Sequence, residues 1–286
     1  MSASLMFDVD LNPAGVPWPD LPPGVAVHRL CHAPAGLPEV VPAEQVTPEA
    51  LTFAGRFEPR NTQRRVTALA AALAAHPDLT HYLVFDTPFF DDLPEVARHY
   101  AVAPELAAEH GLYRTGRHGP VHRRAAQAGR CVTVALTASP TVAAVRDGRP
   151  LEISGGLSGL EGVPGHTTVG DIDPAAILYL VDTLGLDLDA VERALTLEGG
   201  YVGLSADDNH ELAASLTVHR LRRAIGSAVA VMDGLDALVF AGAVQDEFIE
   251  RVTAGLGYLG VGDRVPVVRA PWTPLTAAAD AVRGYV

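Results

Sequence analysis

The stretch VFDTPFFDDLPEVARHYAVAPELAAEHGLYRTGRHGPVH, residues 84–122, decides how this chain is read. It begins inside an apolar run, HYLVFDTPFF (81–90), which predicts a buried strand handing over to a loop at Asp86. Ligands in open α/β sheets bind outside the carboxyl ends of strands. Asp86 is therefore a candidate polarising or metal-binding carboxylate, with loop capping as the alternative reading. AVAPELAAEHG (101–111) predicts a helix, and a glycine-broken segment follows in which Arg114, Arg117, Arg123 and Arg124 surround His118 and His122. A basic cluster of that kind is either a solvated turn or the floor of an anion site.

Working outward, VAVHRLCH (25–32) predicts a short strand carrying Arg29 and His32, and an arginine there needs a partner or a rim position. TQRRVTALAAALAAHP (62–77) has helical spacing, and residues 1–24, rich in Pro and Gly, predict an irregular lead-in. Downstream, CVTVALTASPTVAAVRDGRPL (131–151) predicts two strands joined by a turn. Two helices with an Asp before each follow in 174–198, then a long helix over 210–234, a strand in 235–244 and a helix over 245–260. Strands and helices interleave with at least one hairpin, which predicts an α/β protein with a mixed sheet.

The bulk chemistry narrows the function classes. With 286 residues, 48% of them apolar, the chain can bury a core, and its net charge of −13 argues against nucleic-acid or anionic-membrane partners. No apolar run approaches the roughly 18 residues of a membrane span, and no signal-peptide pattern opens the sequence; the expectation is a cytoplasmic protein. Cys31 and Cys131 read as ordinary buried thiols. Clustered metal ligands are not visible in the linear sequence, so none is expected, or Asp86 if any. Glycine-bearing loops at 157–162 and 240–247 match neither a P-loop nor a dinucleotide fingerprint.

The motifs resemble the acetate kinase family in six order-preserving segments. Residues 84–122 are similar to the family's VFDTAFH…YGxRRYGFHGTSH run, VHRLCH (27–32) to HRVVHGG, and EPRNTQRR (58–65) to its APLHNPPN turn. GDIDPAAILYLVDTLG (170–185) resembles the GxxDPA helix start, GGYVGLSADDNHEL (199–212) the SGxLGxSGxSxDxRDL loop, and IGSAVAVMDGLDALVFAGAVQDEFIERV (225–252) the GLDAIVFTGGIGEN motif. The resemblance implies a two-lobe actin-like (ribonuclease H-like) ATPase-type α/β fold with mixed sheets. It implies a reduced first lobe of residues 1–88 plus 265–286 and a second lobe of 89–264. It also implies transfer of the ATP γ-phosphoryl group to a short carboxylate with Mg²⁺, and a homodimer through the second lobe. Matched residue by residue, the catalytic positions are Arg29, Asp86 and His118. Substrate contacts fall on Arg29, Cys31, Arg60, Asn61, Arg117, His122 and Gly159, and nucleotide contacts on Asp208, His210 and Gly242.

Departures from the pattern shape the functional expectation. The opening NxGSSSxK loop has no counterpart, and the HLGNG phosphate loop falls on ALTAS (135–139). The second catalytic arginine of the family falls on Thr168, its Mg²⁺-side glutamate on Pro274, and GGIGEN becomes GAVQDE with Asp246 and Glu247. Phosphoryl transfer rests on positioning and on stabilising charge spread over equatorial oxygens, and losing one donor typically costs about 2.7–4 kcal/mol in the transition state. The expectation is a family member that binds a small polyanionic carboxylate or phosphorylated acid through Arg29, Arg60 and Arg117, without ATP-dependent transfer. An active ATP:carboxylate phosphotransferase, which alone would need ATP and Mg²⁺, and a non-catalytic partner-binding relative are the alternatives.

Overall fold

The structure is a computed structural model that describes residues 4–8, 12–206, 209–243 and 245–286. The chain divides into unit 1, residues 1–92, 115–124 and 271–286, and unit 2, residues 93–114 and 125–270. In this division the segment 115–124 falls with the first unit, where the Gly119 amide donates to the Asp86 carbonyl at 3.0 Å.

Unit 1 is built on strands β1 (Leu5–Asp8), β2 (Asn12–Pro17), β3 (Val25–Leu30), β4 (Val40–Pro42) and β5 (Thr80–Phe85). Their order is β2-β1-β3-β5-β4, with β1, β3 and β5 parallel and the two outer strands antiparallel. The expected irregular lead-in is therefore corrected. NPAGVP forms an edge strand, the one place where a sheet tolerates proline. Helix Pro59–Ala75 buries Thr62, Arg65, Leu69 and Ala72, a single stripe at helical spacing. The C-terminal helix Pro274–Tyr285 begins with a capping box between Thr273 and Thr276 and buries Ala278, Ala279 and Val282 in the core with Val27 and Val84. Pro274 occupies the first turn of that helix, where a missing N–H costs nothing.

Unit 2 is built on β6 (Arg130–Ala135), β7 (Thr141–Arg146), β8 (Arg149–Ile153), β9 (Ala237–Ala241) and β10 (Val267–Ala270). β6, β7 and β8 form an antiparallel meander, and β9 and β10 add parallel to β6, giving the order β10-β9-β6-β7-β8. Three strands thus replace the two expected over 131–151. Asp147 and Gly148 supply two positive φ angles, 49° and 80°, for a tight hairpin between β7 and β8. The long helix His210–Met232 sets Leu221, Ile225 and Met232, all fully buried, against Val132, Val134, Leu238 and Phe240. Each such side chain contributes about 1.5–3 kcal/mol by leaving water. Asp173 and Asp187 cap their helices by accepting from the amides of Ala175 at 2.9 Å and Ala190 at 2.7 Å.

Candidate functional site

Two neighbouring parallel strands of unit 1 deliver the first pair of site residues. Arg29 on β3 is in register with Val84 on β5, and Asp86 follows β5 directly. Arg29 Nη2 donates to Asp86 Oδ2 at 2.6 Å and Nη1 to Asp8 Oδ2 at 3.3 Å. The Cys31 thiol lies 3.8 Å from the same Asp86 oxygen. Asp86 is almost fully buried. Burial alone would raise its pKa, but Arg29, His118 and Arg117 outweigh that and hold the carboxyl below its ordinary value. Burial likewise opposes the charge on Arg29, and Asp86 and Asp8 more than offset it.

His118 enters on a strained backbone. Its φ is +59°, uncommon for a residue with a side chain, and it immediately precedes the helix Gly119–Ala125. Gly119 is a steric requirement, since a Cβ there would lie 2.1 Å from the Asp86 carbonyl oxygen. A Cβ on Gly116 would strike the Phe90 ring. These two glycines clamp the RTGRHG turn against the end of β5. Burial pushes the His118 pKa well below its usual value, and Arg29, Arg117 and His122 reinforce that against the opposite pull of Asp86. The imidazole is therefore held in its neutral form at pH 7. His122 is fully buried, edge-on to Phe90 at 5.8 Å between ring centres, and burial lowers its pKa to about 3.

The third group is one that sequence reasoning missed. Glu58 precedes the helix Pro59–Ala75 and accepts from Arg117 Nη1 through Oε1 at 2.7 Å. Its Oε2 lies 3.7 Å from Arg65 Nη1 and 3.9 Å from His32 Nδ1. Three guanidiniums, Arg29, Arg65 and Arg117, thus stand against three carboxylates, Asp8, Asp86 and Glu58. Arg117 retains its charge despite burial because Cys31, Glu58 and Asp86 favour the cation. The Nε of Arg117 is buried and makes no hydrogen bond among the described residues. One group of possible metal donors not visible in the linear sequence comes together here. Cys31, His32 and Glu58 are all buried, with one donor atom of each within 4.8 Å of the others. Asp86 is not part of that group.

The remaining sequence-predicted site residues fall elsewhere. Arg60 is exposed on the first turn of its helix and Asn61 is half-buried, so Arg65, one and a half turns on, supplies the inward guanidinium expected of Arg60. In unit 2, Gly159 lies in a loop. Gly242, with φ +112°, turns the chain within 2.1 Å (from a would-be Cβ) of the Leu136 carbonyl, a packing role. His210 stacks on Tyr201 with 6.0 Å between ring centres, and Tyr201 stacks on His166 at 6.1 Å. Asp208 lies outside the described residues. Unit 2 contains a cavity of about 580 Å³ lined by Thr137, Pro140, His166, Tyr201, Ala243 and Phe248, among others. It therefore joins ALTAS and GAVQDE around one hollow, large enough for a small organic ligand. Next in sequence to its lining residue Gln245, Asp246 and Glu247 open the helix Asp246–Thr253 and are exposed, with Asp246 paired to Arg269.

The two mixed sheets with their flanking helices define an actin-like α/β fold. The chain belongs to the Acetokinase family, which it matches over residues 26–264. It is 33% identical over 262 residues to the acetate kinase of Escherichia coli (strain K12), covering 82% of this chain and 66% of that protein, just under two thirds of its length. It is 30% identical over 269 residues to the acetate kinase of Clavibacter sepedonicus, covering 84% of this chain. Among solved structures it resembles a propionate kinase from Francisella tularensis subsp. tularensis SCHU S4, with a TM-score of 0.78 at 22% identity over 90% of this chain and 78% of that one. The acetate kinase of Entamoeba histolytica is similar at a TM-score of 0.79 and 17% identity, over 91% of this chain and 81% of that one. No helix among the described residues is long and apolar enough to cross a membrane.

Proposed function

We propose that the unit 1 cluster recognises a small carboxylate and that this recognition, without ATP-dependent transfer, is the function of the chain. The observation that carries the reading is the buried Arg117 Nε, a charged donor with no hydrogen-bond acceptor among the described residues. Leaving such a donor unmet costs free energy that a bound carboxylate oxygen would recover. His118, neutral and buried nearby in sequence, adds an uncharged polar ring, and the Arg29–Asp86 pair adds a fixed dipole. The polyanion expected from the arginines is revised to a ligand with one carboxylate, because each guanidinium already faces a protein carboxylate.

Two features of unit 2 support a reading without ATP. Thr137 and Ala138 stand in the loop after β6, Thr137 turned inward to the Ser139 carbonyl, and two acidic side chains open the helix whose N-terminus would face phosphate. Calorimetry tests the first reading. Acetate or propionate should bind the wild type, and Arg117→Lys, which keeps the charge but has no Nε–H fork, should weaken that binding about 10- to 150-fold, equivalent to 1.5–3 kcal/mol. Equal binding by both proteins would remove the reading.

An ATP:carboxylate phosphotransferase is the second reading. The roughly 580 Å³ cavity, with its Tyr201–His166 stack suited to a planar ring, favours it. Trapping acyl phosphate as a hydroxamate, with Mg²⁺, ATP and acetate supplied, separates the two. Product above background that vanishes in Asp86→Asn would establish transfer and end the ATP-independent account.

A further inference from the structure

Three buried donors of three different kinds meet where β3 ends. Cys31 and His32 are consecutive residues just beyond that strand, and Glu58 reaches in from the start of the helix Pro59–Ala75. One donor atom from each, the Cys31 sulfur, a His32 ring nitrogen and a Glu58 oxygen, lies within 4.8 Å of the others. We propose that this triad is a binding site for a divalent transition metal of the zinc type, with a fourth position left open.

The donor set selects the class of ion. Thiolate and imidazole suit Zn²⁺ and its close analogue Co²⁺, whereas Mg²⁺ and Ca²⁺ take oxygen ligands. Glu58 is already oriented as a ligand is. Its Oε1 is held by Arg117 at 2.7 Å, an outer partner of the sort that fixes metal-bound carboxylates, and its Oε2 points to within 3.9 Å of His32 Nδ1. Tetrahedral ligands about 2.0–2.3 Å from zinc stand roughly 3.3–3.8 Å apart, so no edge of the triad, all within 4.8 Å, needs to close by more than about 1.5 Å. A void of about 20 Å³ bordered by Cys31, His32, Gly55, Thr62 and Arg65 has room for one water-sized occupant beside it.

Charge both limits and rewards the site. Arg65, 3.7 Å from Glu58 Oε2, opposes a cation and weakens the affinity. On binding, the Cys31 S–H bond breaks, a sulfur–metal bond forms and the proton leaves to buffer, with no change of oxidation state. The metal adds two positive charges and the thiolate one negative. The evenly paired cluster then carries one net positive charge, which matches a single carboxylate.

The test reads metal and not turnover, so it stands or falls apart from the carboxylate reading. The full chain, stripped with chelator, is titrated with Co²⁺ alone. One equivalent should bind and give a near-ultraviolet thiolate-to-cobalt charge-transfer band with visible four-coordinate bands, and Zn²⁺ should displace it. Cys31→Ser, which preserves size, should lose the charge-transfer band, and Cys31→Ser and His32→Gln should each bind Zn²⁺ at least tenfold more weakly. Thermal melts of the metal-free variants check that they remain folded, and if either has unfolded, the wild-type cobalt spectrum alone decides. Absence of a thiolate band in the folded wild type, or Zn²⁺ binding unchanged by Cys31→Ser, would overturn the proposal.

Discussion

Glu58 and Arg117 meet at 2.7 Å with their side chains only 8% and 11% exposed. Removing one partner from a pair so buried strands the other, which typically costs about 3–5 kcal/mol, whereas replacing both with well-packed apolar side chains is often neutral. Glu58→Met and Arg117→Met should each lower the urea midpoint sharply. The double variant should recover much of the loss. Additive losses in a double-mutant cycle would show that the two do not act as a pair.

Gly119→Ala tests the seat of His118. The added methyl would meet the Asp86 carbonyl oxygen at 2.1 Å, backbone that cannot swing aside. Overpacking of this kind costs about 1–3 kcal/mol. The variant should unfold at lower urea and should lose carboxylate affinity as well. Wild-type stability in G119A would place the helix start elsewhere than described.

Acid should unfold the protein through its buried imidazoles. His28 Nε2 lies 2.8 Å from His81 Nδ1, and its ring stacks on Phe7. Burial, with His81 and His76 nearby, lowers the His28 pKa to about 3, and burial lowers that of His122 to about 3. Both folded-state values lie below the unfolded value of about 6.5, so the unfolded chain takes up protons first. The stability these groups lend is whole above pH 6.5 and drains away as pH falls toward 3. Each contributes a slope of up to about 1.4 kcal/mol per pH unit. Urea midpoints measured from pH 7 to pH 4 should fall, and His28→Gln should show a slope smaller by about one proton.

Unit 2 exposes several large apolar side chains, and self-association through them is expected. The helix Pro174–Leu178 buries none of its residues, and Leu178 and Leu188 are 62% and 73% exposed, with Ile172, Tyr179 and Leu184 exposed beside them in sequence. Patches of this kind mark interaction sites. Light scattering should give twice the 30.0 kDa chain mass at micromolar concentration, and Leu188→Glu should shift it to the monomer. A wild-type mass near 30 kDa would exclude the dimer.

Much of the site could be read from local pattern. Asp86 stood at the mouth of a buried strand, and His118 sat among glycines that proved to be steric necessities. Arg65 could have been found too. Its spacing to Leu69 and Ala72 puts it on the buried stripe of its helix, while Arg60 falls outside that stripe. Glu58 gave no such signal, because what defines it is Arg117, fifty-nine residues away and brought near by the return of 115–124 to unit 1. The N-terminal strands were hidden for the opposite reason. The proline and glycine of β2 read locally as loop, and it is pairing that makes the strands, β2 on β1 and β1 in turn on β3.

The even pairing of three guanidiniums with three carboxylates in unit 1 sets how fast a ligand arrives as well as how tightly it stays. Attraction from a distance needs uncompensated charge, and beyond a Debye length of about 8 Å in physiological salt a balanced cluster offers none. The chain as a whole carries −13. With no metal bound, a carboxylate of the proposed kind would therefore diffuse in against a repelling field with no local funnel to draw it. Added salt should quicken its association, the reverse of an electrostatically steered encounter.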